Sequence, residues 1–284
     1  MAGERPVCAL TTLDDELYVA TCGSLVVDVF DVVTFRLGRR LTVPGVHRSL
    51  LLDVVSSGFS YVTDMTSCRR HRCLYAADGC AGVVRRLDAA SGRQVTEWTV
   101  EGGARPAGLS VTGAFNVVVA CSDSVLVRVY TPLGCPVCVV DVHRPALVGL
   151  THAVQLDCGS FAVIGVTETT DRVACVCRAN DDADSAQLID SRGGGFATHV
   201  ASVRCTAGSH VWLAERGGTS PGVRLVQVPA ASQRSADLPT VPVRQPDKIC
   251  WDQSARRLYV VDDGHVKVFR IRMKRDSCSD IAFM

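Results

Sequence analysis

The stretch that decides the fold is Arg72–Leu87, RCLYAADGCAGVVRRL. It reads as an apolar strand ending at Asp78, a turn of small residues, and a second apolar strand ending at Leu87. Unbroken apolar runs of four to seven residues, rich in Val and bounded by Gly, Asp, Ser and Pro, mark buried strands and turns. No long segment of 3.6-residue periodicity competes with them, so the chain is read as all-β.

Five relatives of the first strand follow or precede it: LYVA at 17–20, VVVA at 117–120, FAVIG at 161–165, VWLAE at 211–215 and LYVVD at 258–262. Aligned, they place Tyr18, Tyr75, Val118, Ala162, Trp212 and Tyr259 in one column. The steps between them are 57, 43, 44, 50 and 47 residues. Units of that length hold four strands each. A second offset recurs inside the units: Tyr18 to Phe30, Tyr75 to Leu87 and Val118 to Tyr130 each span 12 residues, and Tyr259 to Phe269 spans 10. An earlier strand precedes each motif and a later one follows a turn such as Asp88–Gly92. The expected fold is a six-bladed β-propeller of four-stranded antiparallel blades over residues 1–273. Such a ring buries both apolar faces of every sheet, which no blade does alone.

Three segments break the pattern. The 57-residue step holds an extra apolar run at 49–57; residues 180–195 read as a loop around one short strand; 229–247 reads as an irregular crossing. Residues 274–284 show no pattern and are expected to be a disordered tail. The sixth blade then lacks an evident outermost strand, to be supplied by the N-terminal residues or the tail, or not at all.

The motif resembles the NHL-repeat propeller family, whose pattern is an apolar strand, L-Y-V-A-D, a small polar turn and a strand closing near Phe or Leu. RCLYAADGCAGVVRRL and RRLYVVDDGHVKVF follow it well, DELYVATCGSLVVDVF less fully. The resemblance is to the propeller half of TRIM-NHL proteins, and it implies protein or RNA binding. The RING, B-box and coiled coil of those proteins have no counterpart here.

Composition narrows the partner. Net charge is +1, with 47% hydrophobic and 21% charged residues. That balance supplies no general field for nucleic acid or an acidic membrane. No run approaches the roughly 20 apolar residues of a membrane-spanning helix. The N-terminal sequence meets charge at Glu4 and Arg5 and carries no export signal, so a cytoplasmic location is expected. The 14 cysteines are accordingly read as reduced thiols. Cys121, Cys138, Cys175, Cys177, Cys205 and Cys250 fall within apolar strands and are read as core. Cys68 and Cys73 flank His71, and Cys135 and Cys138 have two residues between them, yet neither pair has the second half that a structural zinc site requires.

Two constellations remain. Asp78, Asp123, Glu215 and Asp262 end or follow motif strands. They either cap their own turns or ring the channel mouth as metal ligands for a hydrolase or lyase. His47, His143, His152 and His265 could stand near them. The basic run Arg69, Arg70, His71 and Arg72 is a solvated loop or a docking site. The sequence reading favours a non-catalytic scaffold with no cofactor. It would bind a protein or peptide through Arg69–Arg72, Asp78, Asp123, Arg216, Asp262 and His265. Metal-dependent catalysis and single-stranded RNA binding are the alternatives.

Overall fold

A computed structural model describes residues 5–43, 62–142, 146–157, 159–178, 187–189, 195–205, 208–228, 240–274 and 277–283. They form six four-stranded antiparallel sheets, each with its strands in sequence order. The only helical element among them is a 3-10 turn at Glu101–Gly103. Blade one is β1 (Val7–Leu13), β2 (Glu16–Thr21), β3 (Val26–Asp31) and β4 (Leu37–Thr42). Blade two is β5 (Val62–Cys68), β6 (Cys73–Asp78), β7 (Val83–Asp88) and β8 (Gln94–Thr99). Blade three is β9 (Pro106–Val111), β10 (Val117–Cys121), β11 (Leu126–Tyr130) and β12 (Pro136–Asp141). Blade four is β13 (Leu147–Asp157), β14 (Ser160–Thr167), β15 (Arg172–Arg178) and β16 (Gln187–Ile189). Blade five is β17 (Phe196–Cys205), β18 (Gly208–Arg216), β19 (Gly222–Gln227) and β20 (Thr240–Pro242). Blade six is β21 (Pro246–Asp252), β22 (Arg257–Asp262), β23 (His265–Lys274) and β24 (Ser277–Phe283).

The first strands pack against one another around the centre, β1 on β5, β5 on β9, and so on to β21, which returns to β1 and closes the ring. The motif strands come second in each blade. They have strands on both sides and blades on both faces, so they tolerate little polarity. Every residue of β6 and β10 is buried. All six residues of the aligned column, from Tyr18 to Tyr259, are almost wholly enclosed. The outermost strands keep only occasional buried positions, as in β4 and β12. The recurring internal offset is hairpin register: Leu17 pairs with Phe30, Leu74 with Leu87, Val117 with Tyr130 and Leu258 with Phe269.

The sixth blade corrects the expectation for the tail. Ser277–Phe283 is its fourth strand, with Ile271 opposite Phe283 and Met273 opposite Ile281. β23 runs ten residues and presents an open edge, so pairing orders a segment that has no marked pattern of its own. The apolar run at 49–57 and most of 180–195 and 229–247 lie outside the described residues. Within the last two segments, Gln187–Ile189 and Thr240–Pro242 supply the fourth strands of blades four and five.

One irregularity is repeated around the ring. The pairing of first and second strands slips by one residue at an equivalent place in each blade, at Cys8, Thr63, Ala107, Thr151, Thr198 and Asp247; blade four slips twice more. A bulge frees that residue from the ladder. Three of the freed side chains donate to the next blade: Cys8 Sγ to the Val62 carbonyl at 3.0 Å, Thr63 Oγ1 to the Pro106 carbonyl at 3.0 Å, and Thr198 Oγ1 to the Pro246 carbonyl at 2.7 Å. The bulges therefore join neighbouring blades by hydrogen bonds between their first strands.

Candidate functional site: the central channel

The residue after each bulge defines a ring of six structurally equivalent positions: Ala9, Asp64, Gly108, His152, His199 and Lys248, opposite Ala20, Ala77, Ala120, Ile164, Ala214 and Val261. Two are small and four are polar, and the four polar ones converge. Lys248 Nζ reaches Asp64 Oδ1 at 3.2 Å, from blade six to blade two. Asp64 Oδ2 accepts the Leu109 N–H at 2.7 Å. His152 Nε2 donates to the Leu109 carbonyl at 3.1 Å and lies 3.6 Å from Asp64 Oδ2. The rings of His152 and His199 stack at 3.7 Å between centroids. Gly108 is required here. A Cβ on it would lie 2.3 Å from the Thr151 carbonyl oxygen and 2.8 Å from His152 Cδ2, so only glycine lets blade three approach blade four this closely.

Burial lowers the His152 pKa to about 4; nearby Asp64 opposes that shift and Lys248 adds to it. His199 is held well below the usual histidine range by burial, by His152 and by Lys248. Both imidazoles are neutral at physiological pH. A carbonyl can only accept, so the proton of His152 sits on Nε2 and Nδ1 keeps a bare lone pair. Nδ1 of His152 and Nδ1 of His199 are both buried and have no hydrogen-bond partner among the described residues.

A cavity of about 210 Å3 runs along the channel past these residues and past Thr11, Thr66, Ser67 and Ser110. It shares Thr12, Ser67, Val111 and Trp251 with a wider mouth of about 260 Å3. Arg69, Phe115, Asp252 and Gln253 also line that mouth. It opens where first strands turn into second strands.

The residues singled out in the sequence divide between opposite ends of the blades. Arg69–Arg72 lie in the turn before β6, Asp78 at the far end of the same strand; six residues separate the ends by roughly 17 Å. Each member of the basic run has a specific contact. Arg69 donates to Asp252 at 3.2 Å and Ser254 at 2.6 Å. Arg70 stacks over the Phe115 ring at 5.1 Å, His71 Nδ1 meets Cys68 Sγ at 3.2 Å, and Arg72 pairs with Asp14 at 3.6 Å.

The motif carboxylates do not gather into a metal site. Among the described residues the only cluster of three or more potential metal ligands is Asp64, His152 and His199. Asp78 accepts from the Ala81 N–H and from Arg85, in a pair with both side chains buried. Glu215 is held by Arg224. Asp262 accepts from the Gln245 N–H at 2.6 Å and Lys267 at 2.5 Å. Its burial would raise its pKa, but those donors hold it below the usual carboxylate range. Asp123 is exposed and accepts the Arg105 N–H at 2.9 Å. These residues tie turns to their own blades. Arg216 pairs with Asp247 at 2.9 Å, and His265 opens β23. His47 and His143 lie outside the described residues.

The thiols also divide. Among the cysteines whose side chains are described, Cys8, Cys68, Cys73, Cys121, Cys175 and Cys177 are buried. Cys138, expected in the core, is exposed because β12 is an edge strand. The side chain of Cys205 lies outside the described residues. Cys68 and Cys73 face one another across the first hairpin of blade two. A hydrogen bond from Cys73 outweighs burial and, with His71, brings the Cys68 pKa to about 5.

The class defined by this architecture is the six-bladed β-propeller. No protein-family profile matches the sequence, and no curated protein matches it. Solved structures match the fold. One titled Kuenenia stuttgartiensis hydrazine synthase aligns with a TM-score of 0.65 at 14% identity, covering 95% of this chain and 78% of that one. A chain of a mitotic checkpoint complex aligns with a TM-score of 0.61 at 12% identity over 94% and 77%. A streptogramin B lyase aligns with a TM-score of 0.58 at 9% identity over 94% of both. At these identities the likeness is one of fold alone. Its bearers include enzymes and members of protein complexes.

Proposed function

We propose that the chain is an NHL-like propeller scaffold of the cytoplasm that binds a protein partner through an extended peptide laid over the channel mouth. The observation that carries this reading is the mouth of about 260 Å3, lined by Trp251, Phe115 and Arg69 on a rigid ring. Aromatic and arginine side chains around a concavity are the residue types that anchor peptide segments. The basic run contributes by holding the rim: Arg69 and Arg70 fix the turn against blade six and against Phe115. On this reading docking lies on the Arg69 side of the ring, rather than among the turns that follow the motif strands. The mitotic checkpoint likeness is in keeping with an assembly role.

The test is affinity capture with the full chain as bait, compared with Phe115→Ala and with Asp123→Ala on the opposite end. A partner that is retained by the parent chain and by Asp123→Ala, and lost with Phe115→Ala, supports the reading. Equal capture by all three baits, or retention only of RNA with a steep salt dependence, would replace it.

A further inference from the structure

The channel holds a set of donors that peptide docking does not use. One oxygen of Asp64 and one nitrogen each of His152 and His199 lie within 4.8 Å of one another. They come from blades two, four and five and occupy equivalent positions after three bulges. We propose that Asp64, His152 and His199 form a binding site for one first-row divalent transition-metal ion.

Three observations carry this. The first is the donor set, two imidazoles and a carboxylate, which suits such ions and leaves coordination positions open toward the cavity. The second is the pair of orphaned nitrogens. A buried imidazole nitrogen without a partner is unfavourable, and here there are two, on side chains only 3% and 6% exposed. An ion ligated by each histidine through Nδ1 would satisfy both. The third is the second shell. His152 already donates its Nε2 proton to the Leu109 carbonyl, and Asp64 already accepts the Leu109 N–H. Anchoring of the remote ring nitrogen on a backbone carbonyl is the arrangement that orients metal-ligating histidines.

Lys248 gives the site its particular character. Its ammonium, on Asp64 Oδ1 at 3.2 Å, is an internal cation with the charge partner that the ion needs. The ion must exchange for it. Lys248 is 18% exposed at its side chain, so it has a path out along the channel. The ligand atoms need to draw together, since bonds of about 2.1 Å to a shared ion leave ligands roughly 3–3.5 Å apart. The carboxylate is the mobile partner, because leaving Lys248 frees one of its oxygens.

The experiment is a titration of the chelator-treated full chain with Co(II), read by visible absorption and by metal content after gel filtration. Co(II) reports its ligands. Imidazole and carboxylate give ligand-field bands alone, whereas thiolates add intense near-ultraviolet charge transfer. One ion per chain with no thiolate band is expected. His152→Gln and His199→Gln should each weaken binding at least tenfold, while Lys248→Met should tighten it by about tenfold. The last variant removes no ligand and tests the exchange even where a histidine variant folds poorly. The proposal is overturned by absence of stoichiometric binding to both the parent chain and Lys248→Met. A thiolate signature, or binding that survives in the His152→Gln/His199→Gln double variant, overturns it equally.

Discussion

Two sets of charged side chains sit on the same six-fold frame and behave in opposite ways. At the ends of the motif strands, Asp78, Glu215 and Asp262 are each held by an arginine or lysine of their own blade. In the channel, Asp64, His152, His199 and Lys248 come from four different blades and meet only because the ring closes. The first set can form in an isolated hairpin register; the second requires the whole ring. The local set has its donors and acceptors matched, whereas the long-range set leaves two imidazole nitrogens without partners. Carboxylates that recur in register with a repeat are thus poor guides to a site when the repeat also supplies their partners.

The largest effect should come from breaking a local pair. Asp78→Ala removes the buried carboxylate from Arg85 and leaves it only the partly exposed Glu97, which should cost about 3 kcal/mol, the lower end for breaking a buried pair. Asp123→Ala, at the exposed equivalent turn, should cost less than about 0.5 kcal/mol. Denaturant midpoints with unchanged slopes would show both. Near-equal losses would abolish the distinction between enclosed and open turn carboxylates.

Acid should separate the sets next. The folded pKa of His152, about 4, lies below the ordinary value of 6.5. The unfolded chain therefore takes up the proton first, and stability falls as pH drops from about 6.5 to about 4. The loss from His152 is on the order of 3 kcal/mol, at about 1.4 kcal/mol per pH unit. Asp262 has a lowered pKa and keeps its contribution until pH falls below its ordinary 3.8. In chelator-treated protein, His152→Asn should make the profile above pH 4 less steep, with His199 keeping its own share, and leave the limb below 3.8 in place. Urea midpoints measured across that range are the check.

A smaller effect is expected at Gly108. An added methyl meets the backbone oxygen of Thr151 and the His152 ring. Gly108→Ala should cost about 1–3 kcal/mol as strain and perturb the His152 resonances, while Gly102→Ala, where a Cβ meets nothing within 4 Å, should leave the histidines unmoved. The smallest effect concerns a thiol at the mouth. Cys73→Ala removes the hydrogen bond to Cys68, so the Cys68 pKa of about 5 should rise. Thiolate absorbance at 240 nm as a function of pH would follow it on the order of one unit.

The frame was legible because its signals are local. The motif column from Tyr18 to Tyr259 and the hairpin offset both report strands buried on two faces, and apolar runs record that directly. The ends of the strands were less legible. Arg69 and Asp78 are nine residues apart and look like neighbours, but a whole strand lies between them and carries the chain across the ring. The channel set was hidden by the bulges. An extra residue at this place in each first strand shifts the register, so alignment on apolar residues alone does not bring Asp64, His152, His199 and Lys248 into one column. Alignment on the motif strand, counted back through a bulge, does. β24 was missed because its order comes from the edge of β23 rather than from its own sequence.

The bulge hydrogen bonds have a direction. Cys8, Thr63 and Thr198 each reach forward, from one blade to the next in sequence. At the corresponding place in blade six stands Asp247, which pairs back to Arg216 of blade five. Among the described residues, blades one and six exchange no strand. The joint between β21 and β1 is therefore a head-to-tail contact between covalently unconnected surfaces, in effect an interface between two molecules at very high local concentration. Head-to-tail surfaces close into rings or continue from copy to copy. Opening at this one joint would present complementary ends, and protein concentration would then decide between reclosure and linear association. Amide exchange in β1 and β21 that outpaces exchange in β5 and β9, with chain-to-chain assembly rising with concentration under mild denaturant, is the expected signature.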